Sequence, residues 1–269
     1  GSINLKNNNI KIISDPSFEI INMSYNKNNF NHAIAVGSSQ SITDGSFVAM
    51  YTNDGGENWN FSDDISANNL NSTFKFKSIY VLDNSNSLIS TENSKFIFYS
   101  NDGGKKYNKL SQRGIENNKG IYITPFDGGF ANVFQAGTFD NITNQITSFT
   151  LDFNDVVGGN SISSINQPNV GNIISLDGYE KYFYVVGNDG LNGNIKRYDI
   201  SNNVYDLTHS ISNFNYKKIR VLNKDTAIAI GNNIISFTND GSNWTDISNV
   251  QCQFNDVFIL DNKRAIAVG

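Results

Sequence analysis

Short apolar runs, separated by clusters of Asn, Asp, Ser and Gly, recur along this chain in a fixed order. A β-rich stretch leads each unit, as in Ile79-Tyr80-Val81-Leu82, Ile219-Arg220-Val221-Leu222 and Val257-Phe258-Ile259-Leu260. A polar turn follows, such as Asp83-Asn84-Ser85-Asn86 or Asp261-Asn262-Lys263. Next comes a nearly continuous small-apolar run ending in Gly: Ala33-Ile34-Ala35-Val36-Gly37, Ala227-Ile228-Ala229-Ile230-Gly231 and Ala265-Ile266-Ala267-Val268-Gly269. A run without polar alternation predicts a strand buried on both faces. A third strand, as in Phe47-Val48-Ala49-Met50-Tyr51, Phe96-Ile97-Phe98-Tyr99 and Ile234-Ile235-Ser236-Phe237, then leads through an Asp-Gly turn into a short outer strand. The pattern predicts four antiparallel strands per unit.

Units of this kind fall at 18–64, 75–112, 119–155, 171–210 and 216–249, with a two-stranded remainder at 254–269. Repetition at this interval signals stacked or radially arranged units. Ile10-Lys11-Ile12-Ile13 supplies a strand of the kind the remainder lacks. The expectation is therefore one all-β domain over 1–269, a six-bladed β-propeller whose last blade is closed by both chain termini. Seven blades is the alternative. Closure hides edge strands that an open array exposes. The third and fourth units replace the recurrent turn by Phe139-Asp140-Asn141-Ile142-Thr143-Asn144 and Tyr198-Asp199-Ile200-Ser201-Asn202-Asn203. The fourth also replaces the small-residue strand by Tyr182-Phe183-Tyr184-Val185-Val186-Gly187.

Composition narrows the function classes. With 269 residues, 38% of them hydrophobic, the chain can bury a substantial core. The net charge of −5 is scattered, without a Lys/Arg block. That argues against a nucleic-acid or anionic-membrane surface. No apolar run approaches the ~20 residues of a membrane span. Gly1-Ser2 reads as a cloning remnant, so a targeting segment is expected ahead of it in the natural protein. The single Cys252 excludes an intramolecular disulfide and reads as a small buried hydrophobe.

The recurrent turn carries a family resemblance. Thr52, Asp54, Gly56 and Trp59 match Ser/Thr-x-Asp-x-Gly-x-x-Trp, and Ser100, Asp102, Gly104 and Tyr107 match with Tyr for Trp. Thr238, Asp240, Gly241 and Trp244 form a contracted copy. These strings resemble the Asp-box, or BNR repeat. With the small-residue strand, the chain is similar to the propellers of the photosystem II stability/assembly factor family and their bacterial relatives. The resemblance implies a bacterial repeat protein outside the cytoplasm, periplasmic, cell-surface or secreted, acting as a scaffold for a protein or glycan partner. It implies no cofactor. The box residues read as structural, since Asp and Ser/Thr can hold a sharp hairpin, Gly permits its dihedrals and the aromatic packs.

Catalytic constellations are thin. The best enzyme alternative is a glycoside hydrolase of Asp-box propeller type. A sialidase needs three arginines to clamp a carboxylate. Only Arg113, Arg197, Arg220 and Arg264 are present, and the early Arg-Ile/Leu-Pro motif is missing. Another glycosidase needs two carboxyl groups across a cleft; Asp155 and Asp256, each in a Phe-Asn-Asp-Val string, are the candidates. His32 and His209 with one Cys make no zinc set. Asp189, Asn192 and Asn194 offer oxygen ligands in a loop that reads more simply as a solvated turn. Tyr179, Tyr182 and Tyr184 are the candidate binding residues, with core filling as the competing reading. The expectation is a binding module without catalytic residues or metal.

Overall fold

The computed structural model describes residues 2–4, 9–11, 18–39, 47–63, 76–92, 96–110, 116–126, 130–139, 142–153, 163–165 and 168–269. Among these, the regular structure is all β-strand. A small hairpin of β1 (Ser2–Asn4) and β2 (Asn9–Lys11) comes first. Five larger sheets follow. They are β3 (Phe18–Asn26), β4 (Asn29–Ser39), β5 (Phe47–Thr52) and β6 (Asn60–Phe61); β7 (Phe76–Val81), β8 (Ser87–Thr91), β9 (Ile97–Ser100) and β10 (Asn108–Leu110); and β11 (Glu116–Phe126), β12 (Phe130–Phe139), β13 (Ile142–Asp152) and β14 (Ser163–Ile165). Then come β15 (Asn172–Tyr179), β16 (Tyr182–Asn188), β17 (Asn192–Asp199) and β18 (Val204–Ser212), and finally β19 (Tyr216–Val221), β20 (Ala227–Thr238) and β21 (Thr245–Gln253). The chain ends in a second two-stranded pair, β22 (Asp256–Asp261) and β23 (Arg264–Val268).

The fold is thus an all-β propeller of five blades, and the expected six, or seven, is corrected. The five complete units read from the sequence each become a sheet, but the sixth does not assemble. Ile10 pairs with Ile3 rather than with the strand ending at Gly269, and among the described residues β23 pairs with β22 alone. A short local loop costs less entropy to close than a link between distant segments, which favours the hairpin. Ile12 and Ile13 lie outside the described residues.

The chain divides into two compact units. One comprises Gly1–Asn118, Phe126–Ala131 and Phe149–Ile162, and the other Lys119–Pro125, Asn132–Ser148 and Ser163–Gly269. In the first, Ile34, Val36 and Ala49 pack against Phe76, Ile79, Val81, Ile89, Phe98 and Tyr107 of the next sheet. In the second, Tyr184, Val186 and Ile195 meet Tyr216, Ile219 and Val221, while Ile230 meets Phe254 and Val257. The small-apolar strand explains the geometry: its Ile/Val positions face the following sheet, and Ala227, Ala229 and Ala267 face the preceding one. Each buried Ile or Val stabilises by roughly 1.5–3 kcal/mol.

The first strand of each sheet is an edge, whose free N–H groups must find partners. In β7, β15 and β19 side chains of the preceding sheet supply partners. Val81 N–H donates to Ser24 Oγ (3.1 Å), and Val221 N–H to Asp177 Oδ2 (2.8 Å). Ile173 N–H donates to Asn144 Oδ1 (3.0 Å). Asn188 clasps Tyr216 twice, accepting its N–H (2.9 Å) and donating to its carbonyl (3.0 Å).

The recurrent turns share one wiring. Thr52 Oγ1 donates to Asp54 Oδ1 (2.7 Å) and accepts Gly56 N–H (3.1 Å); Ser100 does the same with Asp102 (2.8 Å) and Gly104 (2.9 Å). In the contracted copy Thr238 donates to Asp240 (3.1 Å), whose Oδ1 accepts the N–H groups of Ser242 and Asn243. Tyr107, in the place of Trp59 and Trp244, has a phenol to satisfy. Ser87, where the sister strands carry Ala33 and Ala227, lies 2.9 Å from it.

Although partial burial opposes it, hydrogen bonds from Asn58 and Thr52 hold the Asp54 carboxyl down at about 2. In the contracted turn the same kind of bonding, led by the side chain and N–H of Asn243, lowers Asp240. A carboxylate with a depressed folded pKa stabilises above its unfolded pKa and loses that contribution as pH falls through the folded value. Melting temperature is therefore expected to decline between pH ~4 and ~2, and an Asp54→Asn, Asp240→Asn variant is expected to decline less over that window, as followed by circular dichroism. A second expectation concerns Gly231. A Cβ there would lie 1.9 Å from the Asn215 carbonyl oxygen, a backbone atom. Gly231→Ala is expected to lower stability by about 2 kcal/mol or more in urea denaturation.

Candidate binding site

Tyr179 and Tyr182 are cross-strand partners flanking the Glu180-Lys181 turn between β15 and β16. Along β16 the side chains alternate. Tyr184 stands where Ile34 and Ile228 stand in the sister strands; it is fully buried, packs with Tyr216 and Ile219, and donates its hydroxyl to the Gly241 carbonyl (3.4 Å). Burial pushes its phenol pKa up, with Arg197 opposing. Phe183, in the alanine position, turns the other way into an aromatic column. It lies 5.1 Å from Phe134 and 4.8 Å from Tyr198, which in turn meets Tyr205 at 4.9 Å. The bulky strand is therefore filled on both faces by core side chains.

Tyr182 is different. It is half-buried, with Lys181 Nζ 4.8 Å and Arg197 Cζ 4.7 Å from its ring centroid. Asp206 fixes Arg197 through two 2.9 Å bonds, and Arg197 Nη1 donates to the Gly241 carbonyl (2.7 Å). Lys181 also reaches Asp199 at 3.5 Å. Tyr179 is half-buried at the margin of the same core. Nearby on this core Trp244 meets Tyr184 edge-on (6.1 Å) and stacks on His209 (5.8 Å), and His209 pairs with Asp246 at 3.0 Å. An aromatic ring with two cations close to it suits a carboxylate or carbonyl ligand with an apolar neighbour.

At the opposite end of β15 and β16, where Asn172 pairs with Asn188, lies a cleft of about 590 Å³. Thr143, Asn144, Asn169, Asn172, Asn188 and Asp189 contribute to its lining, and among the described lining residues none is aromatic or cationic. Asp189, considered as an oxygen ligand with Asn192 and Asn194, spends its carboxylate on the turn. Oδ1 accepts the N–H groups of Leu191 (2.9 Å) and Asn192 (2.7 Å), and Oδ2 accepts the amides of Asn192 and Asn194. These bonds, the two backbone ones foremost, lower its pKa.

This turn is a recurring device that the aligned repeats do not bring out. Asp83-x-x-Asn86, Asp189-x-x-Asn192, Asp199-x-x-Asn202 and Asp240-x-x-Asn243 all place the Asp Oδ1 on the N–H of the third following residue and Oδ2 on the Asn amide. The spacing is the signal that could have found it. Asp246-x-x-Asn249 shares that spacing but lies in β21, where Asp246 accepts from Ser236 Oγ as well as facing His209.

Of the carboxylate pair, Asp155 lies outside the described residues. Asp256 accepts Val257 N–H (2.9 Å) and faces Arg220 Nη2 at 3.3 Å. His32 is buried with Nδ1 2.7 Å from Asn53 Oδ1. Cys252 is half-buried against the Phe254 and Val257 core. Among the described residues no three His, Cys, Asp or Glu side chains are grouped to hold a metal.

No protein-family profile matches this chain, and no curated protein does. Solved structures do match. A structure described as YCF48 bound to D1 peptide aligns with 14% identity and a TM-score of 0.58 over 96% of this chain and 77% of that one. The Niastella koreensis GH74 enzyme aligns with 14% identity and a TM-score of 0.57 over 84% of this chain and 38% of its own. A nidogen/laminin complex aligns with 11% identity and a TM-score of 0.57 over 87% and 81%. At these identities the likeness establishes the propeller fold.

The two tyrosines of β16 are expected to separate on mutation. Tyr184→Ala removes a fully buried ring and is expected to cost about 3–5 kcal/mol. Tyr182→Ala loses a half-exposed cation–π contact and is expected to cost about 1 kcal/mol or less. Parallel urea titrations of the two variants check this.

Proposed function

We propose that this chain is a non-catalytic binding module that docks a peptide segment of a protein partner on the face carrying Tyr179 and Tyr182. The observation that carries the reading is the half-buried Tyr182 ring with two cations close to it, Lys181 Nζ at 4.8 Å and Arg197 Cζ at 4.7 Å from its centroid, Arg197 being held in place by Asp206 and the Gly241 carbonyl. Such surfaces anchor extended ligands by ring contact and orient them by hydrogen bonds to carbonyl or carboxylate oxygens. The likeness over 96% of the chain to a propeller solved with a bound peptide supports the same reading. We further propose that the recurrent turns are Asp-boxes serving the fold, and that the module works outside the cytoplasm of a bacterium.

The likeness to the GH74 enzyme favours a second reading, a glycoside hydrolase. One set of assays tells the two apart. A peptide library probed with the purified chain is expected to yield binders whose affinity, measured by calorimetry, falls about tenfold in Tyr182→Ala, without turnover of any glycan on a broad panel. Glycan hydrolysis by the parent that disappears in the Asp155→Asn, Asp256→Asn variant would replace the binding reading by the hydrolase.

A further inference from the structure

The cleft at the end of β15 and β16 away from Tyr182 takes no part in peptide docking, and its lining is held in place by the protein itself. Asn144 accepts Ile173 N–H (3.0 Å) and donates to Asn172 Oδ1 (3.2 Å). Asn188 spends both side-chain polar atoms on Tyr216, and Asp189 spends both oxygens on its own turn. Outside this network stand three neutral groups on exposed lining residues: the Thr143 hydroxyl, the Asn169 side-chain amide and Asn172 Nδ2. Together they supply both donors and acceptors. Ile142, 54% exposed, and Pro168 add the apolar part of the lining. A Cβ at Gly190 would meet nothing within 4 Å, so the cleft is open there.

That chemistry selects by exclusion. An anion would meet the Asp189 carboxylate with no cation among the described lining residues to oppose it. A cation would have to compete with the four donors that Asp189 already holds. An apolar ligand would cover the three neutral groups and leave them unpaired. A polyhydroxylated neutral molecule meets every demand: its hydroxyls donate and accept, and its C–H faces suit Ile142 and Pro168. The volume, about 590 Å³, falls within the ~300–1,000 Å³ of small-ligand sites. We propose that this cleft is a second binding site, independent of Tyr182, that takes a neutral saccharide through Thr143, Asn169 and Asn172. It binds without cleaving, because glycoside hydrolysis takes two carboxyl groups and Asp189, the one carboxyl among the described lining residues, is committed to its turn. With no ring to stack on, the site rests on hydrogen bonds of small net worth, and a Kd of about 1 mM is expected.

Titration of the whole chain, followed by nitrogen–proton correlation spectra, tests this. The probes are glucose, galactose, cellotriose and maltotriose, with glucuronate and an acetylated, amidated alanine tripeptide as the charged and peptide counterparts. At least one of the four sugars is expected to give saturable shifts at the backbone amides of Thr143, Asn169, Asn172 and Gly190. Tighter binding of a trisaccharide than of its monosaccharide assigns the site to a glycan chain, and equal binding assigns it to a free sugar. Glucuronate is expected to bind at least about threefold more weakly than glucose, Asp189 opposing it. Thr143→Val removes the hydroxyl, and Asn169→Gly removes the amide while keeping the left-handed backbone there (φ 51°). Each is expected to weaken sugar binding about three- to tenfold. Tyr182→Ala, which tests the peptide site, is expected to leave sugar binding unchanged, so the two readings fail separately. Absence of saturation with every sugar up to about 100 mM, tighter binding of the tripeptide or of glucuronate, unchanged affinity in both cleft variants, or loss of sugar binding in Tyr182→Ala would overturn the proposal. Melting temperatures equal to the parent's establish that the variants are folded.

Discussion

The interaction on which this structure depends is the capping of the first strands β7, β15 and β19 by side chains of the sheet before each. A first strand is an edge, pleated and hydrogen-bonded on one side only. Left bare, its N–H groups would be desolvated as the sheets pack, at a cost of about 1–3 kcal/mol each. Ser24, Asn144, Asp177 and Asn188 answer that demand with side-chain oxygens, and the Ile/Val rows then close over the capped strand. Hydrophobic burial supplies most of the stabilisation at these junctions. The polar caps decide at what height, and in which orientation, one sheet meets the next.

The repeated strings made this framework legible in advance where repeats were faithful. Ala-Ile-Ala-Val-Gly foretold a strand buried on both faces, and Ala33 to Val36 are all buried. The terminal Gly was equally readable, since the strand must pass the backbone at Asn215 and its equivalents. The blade count was not. It rested on treating Ile10 and Gly269 as neighbours, an inference from symmetry that a local hairpin overrode. Periodicity reports what each segment needs, namely two faces to bury, and not which segment meets the need.

The candidate site was less legible still. Tyr182 and Tyr184 look alike in sequence and share one face of β16, yet Tyr184 lies inside the strand as a substitute for Ile34, whereas Tyr182 opens the strand beside the Glu180-Lys181 turn and is half-buried. Arg197 gave no warning of its role, because its partners Asp206 and Gly241 lie on different strands and turns. Ser87 with Tyr107 could have been found by aligning the repeats: where Trp becomes Tyr, the opposing Ala becomes Ser, and the new hydroxyl gains a partner.

The clasp of Asn188 on Tyr216 has a direction. In the caps of Ser24 on Val81, Asn144 on Ile173, and Asp177 and Asn188 on the β19 strand, the capping side chain always lies earlier in the chain than the strand it serves. A ribosome delivers residues in the same order, and domains tend to fold from the amino terminus as they emerge. The first strands β7, β15 and β19 therefore leave the ribosome after the residues that cap them, so these nascent edges meet partners already made rather than waiting for ones still unmade.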